Sequence, residues 1–179
     1  MTDKGFVVWI TGLPSSGKTT IARKLQEHMR KEGKRVELLD GDEVRRWLSP
    51  EAGFSREDRE RHLRRVAYVS KLLARNNVAV LASFVSPYKN VREAARKTIE
   101  GEGLRFIEVY VKCSIEECMR RDVKGLYKRA LKGEIGDMTG IQDPYEEPSN
   151  PEVIVDTEKE DPEECVKKIL RKLGELNLI

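Results

Sequence analysis

Residues 12–19 read Gly12-Leu13-Pro14-Ser15-Ser16-Gly17-Lys18-Thr19, a full GxxxxGKT match set between an apolar run at 6–10 and a segment of helical period at 18–32. Strand before and helix after is the context in which this motif works. Its glycines let the backbone curl so that successive N–H groups face inward around an anion. The N-terminus of the following helix puts positive potential beneath the same point. Lys18 can then reach β- and γ-phosphates, and the Thr19 hydroxyl can ligate Mg²⁺. The loop is expected to hold a nucleoside triphosphate.

The remaining chain continues the alternation. Apolar runs of strand length stand at 36–40, 78–83, 106–111 and 153–155. Between them lie helical patterns at 18–32, at 55–76, near 90–100, from Ser114 onward, and from Pro162 onward. In the first of these Ile21, Ala22, Leu25 and Met29 share a face, and Gly33 offers a stop. Ser55 with Asp58 resembles a capping box ahead of Leu63, Val66, Ala67 and Val69. Asp161 before Pro162 reads as an N-cap followed by proline at the first helical position. This predicts an α/β fold: three layers, a mostly parallel sheet flanked by helices, in one domain over residues 1–179. The one irregular stretch, 132–151, is rich in Gly, Pro and acidic residues, and such loops are typically functional or mobile.

Composition removes other classes. No apolar run approaches the roughly 18 residues of a membrane span. Lys and Arg total 34 against 31 Asp and Glu, a net charge of +3. That excess does not imply nucleic acid and suits an anionic small molecule. Cys113, Cys118 and Cys165 lack CxxC spacing and read as reduced thiols of a cytoplasmic protein. With only His28 and His62 beside them, a Cys/His zinc site is not expected. The first residues lack the charged and long apolar regions of a secretory signal.

The acids divide the phosphate-loop class further. In many switches and motor ATPases the Mg²⁺-linked Asp ends a later apolar strand. Here the run at 78–83 ends in Ala82 and Ser83, and the apolar-then-acid pattern falls at 36–40, ending in Asp40. No NKxD guanine-reading tetrad occurs, so a small-molecule kinase is favoured over a GTPase switch. If Asp40-Gly41-Asp42 is extended, both carboxylates face one side. One would hold Mg²⁺ or its water shell and the other the proton of an attacking hydroxyl; the alternative is a tight turn with two solvated acids.

An ordered set of segments then resembles the adenylylsulfate (APS) kinase family. It comprises Leu39-Asp40-Gly41-Asp42-Glu43-Val44-Arg45, Gly53-Phe54-Ser55 with Asp58-Arg59, and Phe84-Val85-Ser86-Pro87-Tyr88. It continues with Arg121-Asp122-Val123-Lys124-Gly125-Leu126-Tyr127 and with Thr139-Gly140-Ile141-Gln142-Asp143-Pro144-Tyr145-Glu146. The resemblance covers nearly the whole chain and implies a P-loop kinase fold that transfers phosphate from ATP, with Mg²⁺, to APS, giving 3′-phosphoadenylylsulfate (PAPS). Shikimate- or gluconate-type kinases are the alternative within the class.

Residue by residue, the resemblance implies ATP at Gly12, Leu13, Pro14, Ser15, Ser16, Gly17, Lys18, Thr19, Thr20 and Arg121, and metal at Thr19 and Asp40. Phe54 matches an aromatic that stacks on the APS adenine, with a core role as the plainer reading. Arg45 and Arg59 match arginines that hold the phosphosulfate, where charge-assisted donors are apt. Asp42 matches the acid near the ribose 3′-hydroxyl, a catalytic residue with Lys18. Val85 and Ser86 fall among the APS positions; Ser86 also matches a serine associated with a phosphorylated intermediate, while a pocket-shaping role through its backbone beside Pro87 is equally open. Lys124, Leu126, Met138, Thr139, Gly140 and Ile141 belong to a mobile lid over both nucleotides, near 121–150. The resemblance also implies a homodimer. Two positions depart from the pattern. His62 stands where Asn is usual, which predicts APS affinity that depends on pH near neutrality. Met138 stands where a second aromatic is usual, which predicts a looser adenine sandwich.

Overall fold

The run at 6–10 is apolar on both faces because it becomes the middle strand of a sheet covered on both sides. In a computed structural model that describes residues 5–179, β1 (Phe6–Thr11) is buried throughout. Residues 1–4, among those read for a secretory signal, lie outside the described residues. Phe6, Val8 and Ile10 enter one core, and Val7 and Trp9 enter the other, the period of two that a strand imposes.

The other elements follow in chain order as α1 (Lys18–Lys31), β2 (Val36–Asp40), α2 (Gly41–Leu48), α3 (Arg56–Ala74), β3 (Ala79–Ser83) and α4 (Lys89–Glu100). Then come β4 (Arg105–Lys112), α5 (Ile115–Arg121), α6 (Leu126–Leu131), β5 (Val153–Asp156) and α7 (Pro162–Glu175). The strands form one sheet in the order β2-β3-β1-β4-β5, with every pair parallel. The chain leaves β1 for one side and later crosses to the other, so the carboxyl ends near β1 form a topological switch point. That is where the phosphate loop emerges.

Helices α1 and α7 cover one face through Ile21, Leu25, Met29, Val166, Ile169 and Leu173. Helices α3 and α4 cover the other through Leu63, Val66, Val91 and Ile99. The expected caps form: Ser55 Oγ accepts from the Asp58 N–H, and Asp161 makes a full capping box with Glu164 ahead of α7. Three cysteines are free and buried. No helix of the described residues is long and apolar enough to cross a membrane.

Two short helices lie beyond the sequence reading. α2 buries none of its residues fully, and its apolar stripe is a single i,i+4 pair, Val44 and Leu48, half-buried against the core. Its charges agree with the helix dipole, with Asp42 and Glu43 in the first turn and Arg45 and Arg46 in the last. α6 is started by Asp122, whose carboxylate accepts from the backbone N–H groups of Tyr127 (3.1 Å) and Lys128 (3.0 Å).

The 132–151 stretch has no regular element beyond a bridge between Thr139 and Asp143. It is nonetheless tied down. Tyr88 Oη donates to Asp143 (2.8 Å), and the Glu146 N–H donates to Pro87 O (2.8 Å). The buried Arg92 guanidinium joins Glu108 (2.8 Å), Ser86 O (2.6 Å) and Glu146 O (2.6 Å).

Candidate active site

The loop after β1 is shaped by backbone as the motif requires. A side chain at Gly12 would put Cβ 2.6 Å from Val111 O and 2.9 Å from Ser16 Oγ, so only glycine fits. Gly17 caps α1 from the left-handed region at φ 100°. Lys18 Nζ donates to Leu13 O (2.7 Å) inside the loop. Burial pulls its pKa down from 10.5 to about 8, helped by the Lys124 ammonium and opposed by Cys118 and Asp40.

Three side chains brace this loop from outside. Thr157 Oγ1 donates to Ser16 O (2.8 Å), and Tyr127 Oη donates to Pro14 O (2.9 Å). Arg121 donates to Thr157 O (2.8 Å) and reaches Ser16 O at 3.5 Å. Sequence reasoning placed Arg121 here and missed Thr157, whose signal was a hydroxyl two residues after the apolar run at 153–155. It read Tyr127 as lid only. A cavity of about 530 Å³ opens beside Leu13, between the end of β4 at Tyr110 and Cys113 and the later segment at Gly140 and Tyr145.

The two acids do not share a strand face, which corrects the extended reading of 40–42. Asp40 is the extended N-cap of α2 and Asp42 is already helical. Acids in a first turn face the positive end of the helix, which favours this start. Asp40 and Ser83 are partners across β2 and β3, and each carries a buried oxygen without a hydrogen bond, as does Ser16 Oγ. Asp42 is exposed and its carboxylate meets the Lys124 ammonium.

A second group gathers at α2 and α3. Phe54 is 61% exposed, which excludes the core role held open for it. The Arg45 guanidinium lies 4.7 Å from its ring centroid and that of Arg59 lies 6.0 Å away. Arg45 also donates to Gly53 O. Arg59 donates to Phe54 O (2.8 Å) and reaches across to Thr139 Oγ1 and Asp137 O. The two guanidiniums thus collect around one aromatic plane, and one of them touches the lid segment.

The remaining candidates lie elsewhere or are already engaged. Met138 is buried with Cys113, Cys118, Tyr127 and Ala130, so its thioether packs inside that cluster; Leu126 and Ile141 pack against the same group. Gly140 is held at φ 92° against Ile115 and Leu13. Val85 O accepts from Thr11 Oγ1 (2.7 Å). Ser86 Oγ is buried, accepts from Trp9 Nε1 (3.0 Å) and donates to Phe84 O (3.3 Å). A hydroxyl so engaged suits the pocket-shaping reading of Ser86 better than the nucleophilic one.

The surroundings of His62 weigh against a pH switch near neutrality in the free protein. The residue is 3% exposed, with Nδ1 2.9 Å from Ser49 Oγ and the ring edge-on to Phe84. Burial, with Arg45 and Arg65 nearby, lowers its pKa from 6.5 to about 4. In the free protein the ring is therefore neutral across the range over which APS affinity is expected to vary. The effect moves to stability. A depressed histidine pKa leaves its contribution intact above 6.5, and that contribution is lost as pH falls from 6.5 through about 4. The shift corresponds to about 3 kcal/mol at full protonation. Chemical denaturation of wild type and His62→Asn between pH 7.5 and 4 should therefore converge as pH falls, and APS affinity should keep the same pH profile in both from 5.5 to 8.

A GxxxxGKT loop at the switch point of a parallel sheet, facing a separate aromatic and arginine pocket, defines a P-loop kinase. The family model for adenylylsulphate kinase matches residues 4–156. A probable adenylyl-sulfate kinase of Aeropyrum pernix is 60% identical over 87% of this chain and 85% of its own length. An adenylyl-sulfate kinase of Picosynechococcus sp. is 50% identical over 100% and 99%. The structure of Mycobacterium tuberculosis APS kinase in complex with AMPPNP and APS superposes with a TM-score of 0.93 at 37% identity, covering 96% of this chain and 98% of that one. The chain belongs to the adenylylsulphate kinase family.

Proposed function

We propose that the protein transfers the γ-phosphoryl group of ATP to the ribose 3′-hydroxyl of APS, giving ADP and PAPS. The carrying observation is the exposed Phe54 ring beside two guanidiniums. A flat apolar face with paired cations suits an adenine that bears an anionic phosphosulfate, and shikimate or gluconate offers no such ring.

ATP takes the loop at Gly12–Thr20 with Lys18 on its terminal phosphates. Mg²⁺ fits the polar atoms at the strand ends. Asp40 Oδ2 and Ser83 Oγ are buried without partners, and Thr19 follows the loop lysine. No group of three or more His, Cys, Asp or Glu is assembled among the described residues, and nucleotide-bound Mg²⁺ needs only one or two side chains beside phosphates and water. Thr19 would ligate it and Asp40 would hold its water shell; the ion supplies charge neutralisation on the phosphates. Asp42 accepts or orients the proton of the 3′-hydroxyl. Transfer is direct, since two substrates held in line need no covalent relay through Ser86. The lid near 121–150 excludes water that would otherwise take the phosphoryl group. In this reading the protein acts as a cytoplasmic homodimer.

A coupled ADP-release assay with APS, shikimate, gluconate or no acceptor tests the reading. Turnover is expected with APS alone. ADP release without acceptor, or with either sugar-like acid in its place, overturns it.

A further inference from the structure

A loop that points its N–H groups at an anion turns its carbonyls away, and those carbonyls need donors on the far side. Pro14 O and Ser16 O find theirs 113 and 141 positions along the chain. Tyr127 Oη on α6 donates to Pro14 O (2.9 Å), and Thr157 Oγ1, just after β5, donates to Ser16 O (2.8 Å). The direction of the second bond is fixed by its neighbour. Arg121 Nη1 stands 3.0 Å from the same hydroxyl and can only donate, so Thr157 Oγ1 accepts there and spends its one proton on Ser16 O.

A trans peptide unit is flat, with its C=O and N–H pointing in opposite directions. Pro14 O shares its unit with the Ser15 N–H, and Ser16 O shares its unit with the Gly17 N–H. Whatever holds the two oxygens outward therefore holds the two N–H groups inward. These are the donors the loop has left to offer. The Ser16 N–H is spent on Leu13 O (3.2 Å), whereas those of Ser15 and Gly17 have no acceptor among the described residues. Both residues also stand in the left-handed region, Ser15 at φ 63° and Gly17 at φ 100°. For a serine that region is costly and persists only where the surroundings hold it. The Thr157 methyl adds to the hold, 3.5 Å from where a Cβ on Gly17 would stand.

We propose that Tyr127 and Thr157 are positioning residues for the phosphoryl donor: their hydroxyls fix two peptide planes of the loop so that the Ser15 and Gly17 N–H groups stay aimed at phosphate oxygens of ATP. This rests on the reading that the loop holds the ATP phosphates. It assigns the aim of that loop to two side chains outside the GxxxxGKT motif, one on α6 and one at the end of β5, each acting through the backbone.

Inorganic tripolyphosphate with Mg²⁺ is the probe, because it reaches the loop without an adenine. Tyr127→Phe and Thr157→Val each remove one hydroxyl and keep the shape. Each should weaken tripolyphosphate binding in calorimetry and raise KM for ATP by about fivefold, the size of one neutral hydrogen bond, with KM for APS unchanged. Thr157→Ser keeps the hydroxyl and should bind tripolyphosphate as the wild type does. A merely structural role would lower the melting temperature and leave tripolyphosphate affinity as it is, which would overturn the proposal. So would a loss seen with ATP and not with tripolyphosphate, since that loss runs through Arg121 and the base. An equal rise in KM for APS, or Thr157→Ser as weak as Thr157→Val, would overturn it too. Amide NMR of the wild type adds a measurement that stands even if a variant does not fold. On addition of MgADP the Ser15 and Gly17 N–H protons should move downfield further than that of Ser16, and shifts no larger than that of Ser16 would count against the proposal decisively. A wild type that binds neither tripolyphosphate nor ATP would overturn the reading of the loop itself, and the proposal with it.

Discussion

Lys18→Met should lower kcat/KM by about 10³-fold, the scale on which single charge-stabilising groups act in a dry site, and should at the same time make the free protein more stable. The two effects share one cause. The ammonium is buried in the phosphate loop, and burial holds its pKa near 8 instead of 10.5. A lysine whose folded pKa is depressed binds its proton less tightly in the native state than in the unfolded chain. The resulting penalty is fully present below about pH 8 and disappears as pH rises from 8 to 10.5. At neutral pH it amounts to about 3 kcal/mol, from which about 1 kcal/mol is recovered by the hydrogen bond to Leu13 O. Methionine keeps the length of the stem without the charge. Leu13 O keeps the Ser16 N–H as a donor at 3.2 Å. The net gain of about 2 kcal/mol should raise the melting temperature by about 4–8 °C at pH 7. Thermal melts repeated near pH 10 should show the gain shrinking. Activity within tenfold of wild type would remove Lys18 from the chemistry, and an unchanged melting temperature would remove the burial argument.

Asp42→Asn should lower kcat by about 10²-fold, the lower end of what a positioned acid or base contributes, with KM for ATP nearly unchanged. A modest figure is expected because phosphoryl transfer depends chiefly on placing and neutralising the reactants. The carboxylate stands free of the sheet, on the first turn of α2, and meets the Lys124 ammonium. Comparing Asn with Ala separates the two roles left to it. Asparagine can orient a hydroxyl and cannot take its proton, so recovery in Asn relative to Ala means orientation and equal loss means proton transfer. Single-turnover rates at saturating ATP and APS make the comparison. Wild-type velocity in Asp42→Ala would exclude the residue from the reaction.

The fold was legible wherever burial writes a pattern. The double-sided run at β1, the stripes of α1 and α3 and the cap at Asp161 are each the record of a packed face. The phosphate loop was legible for another reason, since its glycines answer to backbone geometry that no other residue meets. α2 was not, because its one half-buried pair, Val44 and Leu48, makes too short a stripe to read, and so the relation between Asp40 and Asp42 was misdrawn. His62 was placed correctly beside Arg59, yet its protonation could not be read. That depends on Ser49 and Arg65, thirteen residues before it and three after, meeting at one hydroxyl. Thr157 was missed because it acts on Ser16 from far along the chain.

The Arg92–Glu108 pair carries a consequence for how this protein can drift in evolution or be re-engineered. Buried ion pairs can often be exchanged for apolar residues of similar volume with no loss of stability. Here that route is closed. Arg92 also donates to the carbonyls of Ser86 and Glu146, so a joint exchange would take the guanidinium from both oxygens and leave Ser86 O with the longer contact to Thr11 Oγ1 (3.4 Å). A lineage that loses the arginine must replace the donor to Glu146 O and the shorter of the two donors to Ser86 O in the same step, which makes this small knot harder to rewrite than an exposed ion pair.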